Sequence, residues 1–215
     1  MKNRICHISS VHPRFDSRIF RKECVSLASH GYDVSFIVAD GIKDEEFDGV
    51  KIINVKPSDD KLSRINRILK IPKLIESKID SLKPKIIHFH DPELIPLALR
   101  LKRKGFLVVA DFHEDIPLQI LTKPYLNFFF KKIVSYTFQF YQQYACRKFS
   151  AIVSATPTIQ QKLLKYNSSN VVVKNYPIIN EFKQVVRPNS KSVSYIGGIN
   201  TIRGFYEIIA AAKTS

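Results

Sequence analysis

Polar residues collect where three apolar runs of this chain end. After "RICHIS" (4–9) come Ser9, Ser10, His12, Arg14 and Asp16. The run "KIIHFH" (85–90) ends in His90, Asp91 and Glu93. "FLVVADFH" (106–113) ends in Asp111, His113, Glu114 and Asp115. An imidazole titrates near neutral pH, so it can exchange a proton with a hydroxyl, and a neighbouring carboxylate can orient it. His90, at the mouth of its run, is expected to handle the proton. His12, Arg14, Asp16, Asp91, His113 and Glu114 are expected to line the same cleft, whereas His88, inside its run, reads as a packed histidine. No metal is expected, because no two histidines fall at helical i, i+4 spacing. Cys6, Cys24 and Cys146 form no ligand spacing and read as small buried hydrophobes of a reducing compartment.

A second chemistry stands near the other end, in "GGINTIRG" (197–204). Glycines let a backbone approach phosphate oxygens, and the helix that follows offers free N–H groups and the positive end of its dipole. Gly197, Gly198 and Gly204 would shape this turn, and Arg203 would add a two-pronged donor for a diphosphate. The turn is neither G-x-G-x-x-G nor a P-loop, and the first apolar run has no glycine before Gly31 to make a nicotinamide-binding fingerprint.

The elements that must hold these groups alternate. Strand-like runs at 4–9, 33–39, 50–55, 85–90, 106–113, 150–155 and 170–177 are separated by helical stretches at 17–31, 61–84, 92–105, 116–147 and 156–166. Gly31 reads as a C-cap, Pro72 as a kink or fresh start, and Thr156-Pro157 as an N-cap with proline at the first helical position. Such alternation implies a doubly wound parallel sheet, and ligands of these sheets bind beyond the carboxyl ends of the strands. Residues 1–178 then form an N-terminal domain, 179–191 a linker without periodicity, and 192–215 the start of a second unit of the same kind.

The 215 residues are 45% hydrophobic, enough for a real core, and carry a net charge of +15. That charge favours an anionic partner. Nucleic acid is disfavoured, since no helix-turn-helix, zinc-finger or RNP-like pattern occurs. No stretch approaches the roughly 20 apolar residues needed to span a bilayer, and no secretory signal is evident. The expected location is cytoplasmic, with peripheral binding to the inner face of the membrane. The lysines and arginines of 61–78 and 123–148 suit an anionic membrane surface. The aromatic and aliphatic residues among them, Phe128, Phe130, Ile133, Val134 and Phe138, read in the main as core.

Taken together, "HISSVHPRFDSRIFRKECVSLASHGYDV", "IIHFHDPELIPLA", "VVADFHED" and "SYIGGINTIRGFYEIIAAA" resemble the retaining glycosyltransferases of family 4. The resemblance implies a GT-B enzyme: two Rossmann-like domains, the first on the acceptor side and the second holding a nucleotide sugar. It implies diphosphate binding by Gly197, Gly198, Arg203 and Gly204, a catalytic-cleft position for His90, and a mobile His12–Asp16 loop. Gly198 stands where many relatives have an arginine. The reaction implied is sugar transfer from the nucleotide sugar to a hydroxyl of a glycan or lipid-linked acceptor, in cell-surface polysaccharide or glycolipid synthesis. It would proceed by front-face attack without a metal or other cofactor. Relatives also carry a glutamate pair later in the second domain, so this sequence is expected to be a fragment with little transferase activity of its own. A stand-alone acceptor-binding partner subunit is the alternative, and a sugar-nucleotide epimerase a further rival.

Overall fold

The computed structural model describes residues 3–56, 64–123, 127–178, 195–197 and 203–213, with backbone alone for 64–67 and 213. The expected linker 179–191 and Gly198 lie outside these residues. The chain divides into two units, Met1–Tyr176 and Pro177–Ser215.

In the first unit, β1 (Arg4–Ile8) leads through a π-helical segment (Ile19–Cys24) into α1 (Val25–Ser29), then β2 (Asp33–Val38), β3 (Glu45–Phe47) and β4 (Val50–Asn54). The second half contains α2 (Arg64–Leu82), β5 (Ile86–Phe89), a 3-10 turn (Pro92–Leu94) with α3 (Ile95–Arg103), β6 (Leu107–Phe112), α4 (Ile116–Leu121), α5 (Phe128–Cys146), β7 (Ala151–Ser154), α6 (Pro157–Leu164) and β8 (Asn170–Val172). The strands form one sheet in the order β3-β4-β2-β1-β5-β6-β7-β8. All neighbours are parallel except β3 and β4. This is the Rossmann-like arrangement of a GT-B domain, and the strand order reverses between β1 and β5.

Strand alternation sorts side chains between the two faces. Cys6 and Ile8 of β1, with Ile87 and Phe89 of β5, enter the larger core beneath α2, α3, α5 and α6. Ile71, Ile75 and Ile79 of α2 recur at i+4 and are fully buried there, each contributing roughly 1.5–3 kcal/mol. The opposite core joins Val34, Phe36 and Val38 of β2 to Ile19, Phe20 and Cys24 of the π-helical segment. His7 and His88, paired in register across β1 and β5, point to this second face.

Four details depart from the sequence reading. Helix α2 runs on through Pro72, so the proline marks no fresh start, and Ile71, Ile75 and Ile79 are buried on its inner side. The single long helix expected at 116–147 is two, because the Asn127 side chain caps a new start by accepting the N–H of Phe129. A short hairpin, β3–β4, was not anticipated; Asp48 and Gly49 turn it with φ of 49° and 74°. Phe128, Phe130 and Ile133 are exposed, not core (62%, 54% and 62%). Elsewhere Gly31 follows α1 with φ +87°, and Thr156 caps α6 by accepting the N–H of Ile159. Among the described residues, no helix is long and apolar enough to cross a membrane.

In the second unit, α7 (Phe205–Lys213) follows the turn that carries Arg203 and Gly204.

Candidate active site

The carboxyl ends of β1, β5 and β6 meet at the reversal of strand order. Their loops build two histidine–aspartate pairs there. The first is made by residues just beyond β1 and β5. The Ser9 hydroxyl accepts the N–H of His12 at 2.9 Å, which folds the loop back, and donates to Asp91 at 2.8 Å. The Ser10 N–H donates to Asp91 at 2.6 Å, and the Ser10 hydroxyl lies 2.7 Å from Glu93. His12 Nδ1 then stands 2.9 Å from Asp91 Oδ1. Burial pushes the Asp91 carboxyl up, but the hydrogen bonds from His12, the Ser10 N–H and Ser9 outweigh it and bring the pKa to about 2. The same bond raises His12 above its ordinary value against the effect of burial.

The second pair centres on Asp111, in β6. Arg18 forks onto it, with Nε 3.1 Å from Oδ2 and Nη2 3.0 Å from Oδ1. His113 Nε2 approaches Oδ2 at 2.7 Å and His90 Nδ1 at 3.3 Å. Burial opposes ionisation of Asp111; the hydrogen bonds from His113 and His90 prevail and hold it well below the usual carboxylate range. The His90 ring is fully enclosed, while the His113 and His12 side chains keep 20% and 30% of their exposure. The imidazoles that face outward are therefore His12 and His113, with ring centroids 5.7 Å apart. His90 lies behind them, 3.0 Å from His7 through its Nε2, and burial lowers its pKa against the pull of Asp111.

Behind His90 is a layer that the sequence reading did not find. His7, His88 and Glu23 are all at most about a tenth exposed. Burial, assisted by Asp111, pushes Glu23 up to about 9, and burial with the neighbouring His90 drives His88 down to about 3. Burial and the other two histidines also lower His7 well below its ordinary value. Arg18 Nε lies 3.2 Å from Glu23 Oε1. The i→i+5 turn of the π-helical segment, with the Glu23 N–H bonded to the Arg18 carbonyl at 3.0 Å, brings these two side chains onto nearly one face. A signal existed. Strand alternation puts His7, His88 and His90 on one face, and Glu23 falls among Ile19, Phe20 and Cys24 on the buried side of its helix.

The remaining expected site residues lie elsewhere. Arg14 is buried and spent on structure: it binds Asp40 at 2.7 and 2.9 Å, the carbonyls of Ile42 and Lys43, and Glu45. Asp16 accepts the N–H groups of Arg18 and Ile19 at 2.8 and 2.9 Å, capping the helix that carries Glu23. Glu114 is exposed beside Gln119. In the second unit, Gly197 has φ +154°, and a Cβ there would come within 3.0 Å of Arg203 Nη1. The positive φ favours glycine there, while the flexible tip of the arginine could shift to make room for a Cβ.

A groove of about 330 Å³ opens between α4, α5 and α6, with Glu114 and Asp115 in its lining. Leu118, Leu121, Tyr136, Ile159 and Leu163 line it, with Lys132 and Lys162 among its lining.

Comparison with known proteins bears on this arrangement. Residues 18–175 match the family model described as Glycosyltransferase Family 4. No curated protein matches by sequence. Among solved structures, sucrose-phosphate synthase from Thermosynechococcus elongatus superposes with a TM-score of 0.60 at 11% identity, over 80% of this chain and 48% of its own. The catalytic domain of starch synthase IV from Arabidopsis thaliana, bound to ADP and acarbose, gives 0.50 at 10% identity over 81% and 52%. UDP-N-acetylglucosamine 2-epimerase from Rickettsia bellii gives 0.51 at 9% identity over 80% and 44%. The chain thus spans about half the length of these three proteins, and the likenesses establish the fold alone. The family match covers most of the chain, from the helix bearing Arg18 and Glu23 to the end of the sheet, and on it this chain belongs to Glycosyltransferase Family 4.

Proposed function

We propose that the chain serves sugar transfer from a nucleotide sugar to a hydroxyl acceptor, with retention at the anomeric carbon. The observation that carries this reading is the pair of outward imidazoles, His12 and His113, each seated on a buried aspartate where strand order reverses. Imidazoles held at fixed angles by carboxylates can bind and orient sugar hydroxyls, and positioning of this kind accounts for much of the rate in transfer reactions. His113 contacts the acceptor hydroxyl. His90 is a positioning residue that acts through Asp111. In the second unit, Arg203, Gly197 and Gly204, with Gly198, hold the diphosphate at the start of α7, where the arginine charge and helix dipole steady the leaving group without a metal.

The groove between α4, α5 and α6 suits an acceptor with an apolar portion, its walls largely apolar and Lys132 and Lys165 in its lining, while Lys162 pairs with Asp115. A lipid-linked acceptor in cell-surface polysaccharide or glycolipid synthesis fits that description. The exposed aromatic stripe of α5 and its lysines would keep the protein peripheral on an anionic cytoplasmic membrane face.

The test pairs binding with transfer. Saturation-transfer NMR against uridine-, guanosine- and cytidine-diphosphate sugars should find one that binds. Arg203→Ala should weaken it at least about tenfold, up to about 150-fold, for the loss of a charge-assisted contact worth roughly 1.5–3 kcal/mol. His113→Ala should leave donor binding intact and depress transfer to the acceptor. Failure of every diphosphate sugar to bind, or indifference to both substitutions, would remove the proposal.

A further inference from the structure

We propose that His7, Glu23, His88 and His90 form a buried binding site for a divalent transition-metal ion of the zinc class. The four groups come from β1, β5, the residue after β5 and the π-helical segment, so no short sequence spacing announces them. Glu23 Oε2 lies 3.9 Å from His7 Nδ1, 3.9 Å from His88 Nδ1 and 4.0 Å from His90 Nε2. His7 Nδ1 and His90 Nε2 are 3.0 Å apart. Donors about 2.0–2.1 Å from a tetrahedral zinc ion sit about 3.4 Å from one another, so these separations bracket what the ion requires.

An independent observation points the same way. Four buried side-chain polar atoms make no hydrogen bond among the described residues: His7 Nε2, His88 Nε2 and both oxygens of Glu23, although Glu23 Oε1 keeps its ion-pair contact with Arg18. All belong to this one cluster. A buried polar atom left unpaired is destabilising. A cation seated on the Nδ1 atoms of His7 and His88 would leave their Nε2 groups unchanged, and the relief it brings falls on the Glu23 Oε2 that faces all three imidazoles.

The donor set selects the ion. Three nitrogens and one carboxylate suit zinc and its transition-metal neighbours, not calcium or magnesium, which need mainly oxygen ligands. His90 also has the outer partner that ligating histidines use, since its Nδ1 faces Asp111 Oδ2 at 3.3 Å. The ion would clamp the helix bearing Glu23 to the two central strands and, through His90 and Asp111, fix the ring of His113. It would touch no substrate. The expectation of no metal rested on helical histidine spacing, which a site built from adjacent strands does not use.

The experiment uses the full chain, stripped with chelator and refilled. Elemental analysis after refilling with zinc(II) and dialysis should return about one equivalent. Cobalt(II) should give the intense visible bands of four-coordinate nitrogen–oxygen ligation. Glu23→Gln keeps side-chain size and His88→Asn keeps a polar group near the ring's Nδ1 position, and each should weaken zinc at least about tenfold in a competition titration. The exposed-histidine control, His30→Ala, should not. Chelator-stripped variants should melt near the stripped parent, which separates lost ligation from lost folding. The proposal is overturned by less than about one-fifth equivalent of zinc in the parent, by equal affinity in the parent and both variants, or by six-coordinate cobalt spectra. Loss of binding with His113→Ala but not His88→Asn would also overturn it, since the ion would then sit on the outer Asp111 pair. None of these readouts depends on glycosyl transfer.

Discussion

Asp91 shows how a buried carboxylate becomes a pH sensor for the fold. Its folded pKa of about 2 lies below the ordinary carboxylate value of about 3.9. A depressed carboxylate stabilises the folded state above its unfolded pKa and loses that contribution as pH falls through its folded pKa. The window is therefore about pH 4 down to 2, with about 2 kcal/mol at stake. His12 is raised, so its side of the same bond is complete below about pH 6.5 and fades as pH climbs past its folded pKa. Asp91→Asn should cost most between about pH 4 and 6, and the gap to the parent should close by about pH 2. Urea unfolding at several pH values measures it; a gap independent of pH would refute the assignment. Asp111 predicts a larger loss, because Asp111→Asn removes the carboxylate that the buried Arg18 guanidinium forks onto, leaving it Glu23 and the Val173 carbonyl. Thermal or urea unfolding should then show about 3–5 kcal/mol of destabilisation. The outer half of the site was legible, since His12, Asp91, Asp111 and His113 stand at strand ends where parallel sheets bind ligands. The inner half was not. His7 and Glu23 sit inside elements, and only the pairing of β1 with β5 and the π-turn bring them together.

At the scale of elements, the buried parallel strands and most helices were readable because apolar runs and caps are local signals. The β3–β4 hairpin carried one too, in Asp48-Gly49, but its strand is three residues long and exposed, so no hydrophobic pattern marked it. The orientation of α5 depended on tertiary packing. Phe129, Ile133, Tyr136, Phe140 and Tyr144 recur at three- and four-residue steps and are all more than half exposed. The helix buries the other side, through Ser135, Gln142, Ala145 and Cys146. Sequence alone could not say which stripe faced inward, because both repeat at helical spacing. An outward aromatic stripe makes a specific prediction. Replacing Phe129 and Phe140 with Ser should change unfolding free energy by no more than about 0.5 kcal/mol for each surface site. The same double variant should lose most of its sedimentation with anionic vesicles. A large stability loss would mean that the stripe is covered in the folded chain.

For the whole molecule, the net charge of +15 sets a long-range attraction, and the apolar stripe decides what it attracts. Lys132 stands 4.5 Å over the Phe128 ring and Lys148 5.7 Å over Tyr144, so cations and aromatics share one surface. Nucleic acid would be held mainly through phosphates, and the aromatic stripe would add little on a paired duplex. An anionic bilayer uses both, since each lysine near the surface contributes about 1 kcal/mol and the rings enter the interface. The two contributions respond differently to salt. Screening shortens from about 10 Å at 0.1 M to about 3 Å at 1 M, so the lysine contribution fades while ring insertion persists. Binding to vesicles containing phosphatidylserine should therefore fall steeply with salt and approach the weak level expected on neutral phosphatidylcholine. Lys131→Glu with Lys132→Glu should flatten that salt dependence, whereas the Phe129 and Phe140 changes should lower binding at every salt concentration. Flotation across a salt series measures both slopes. Binding that ignores salt and lipid charge alike would show that the positive charge serves some other partner.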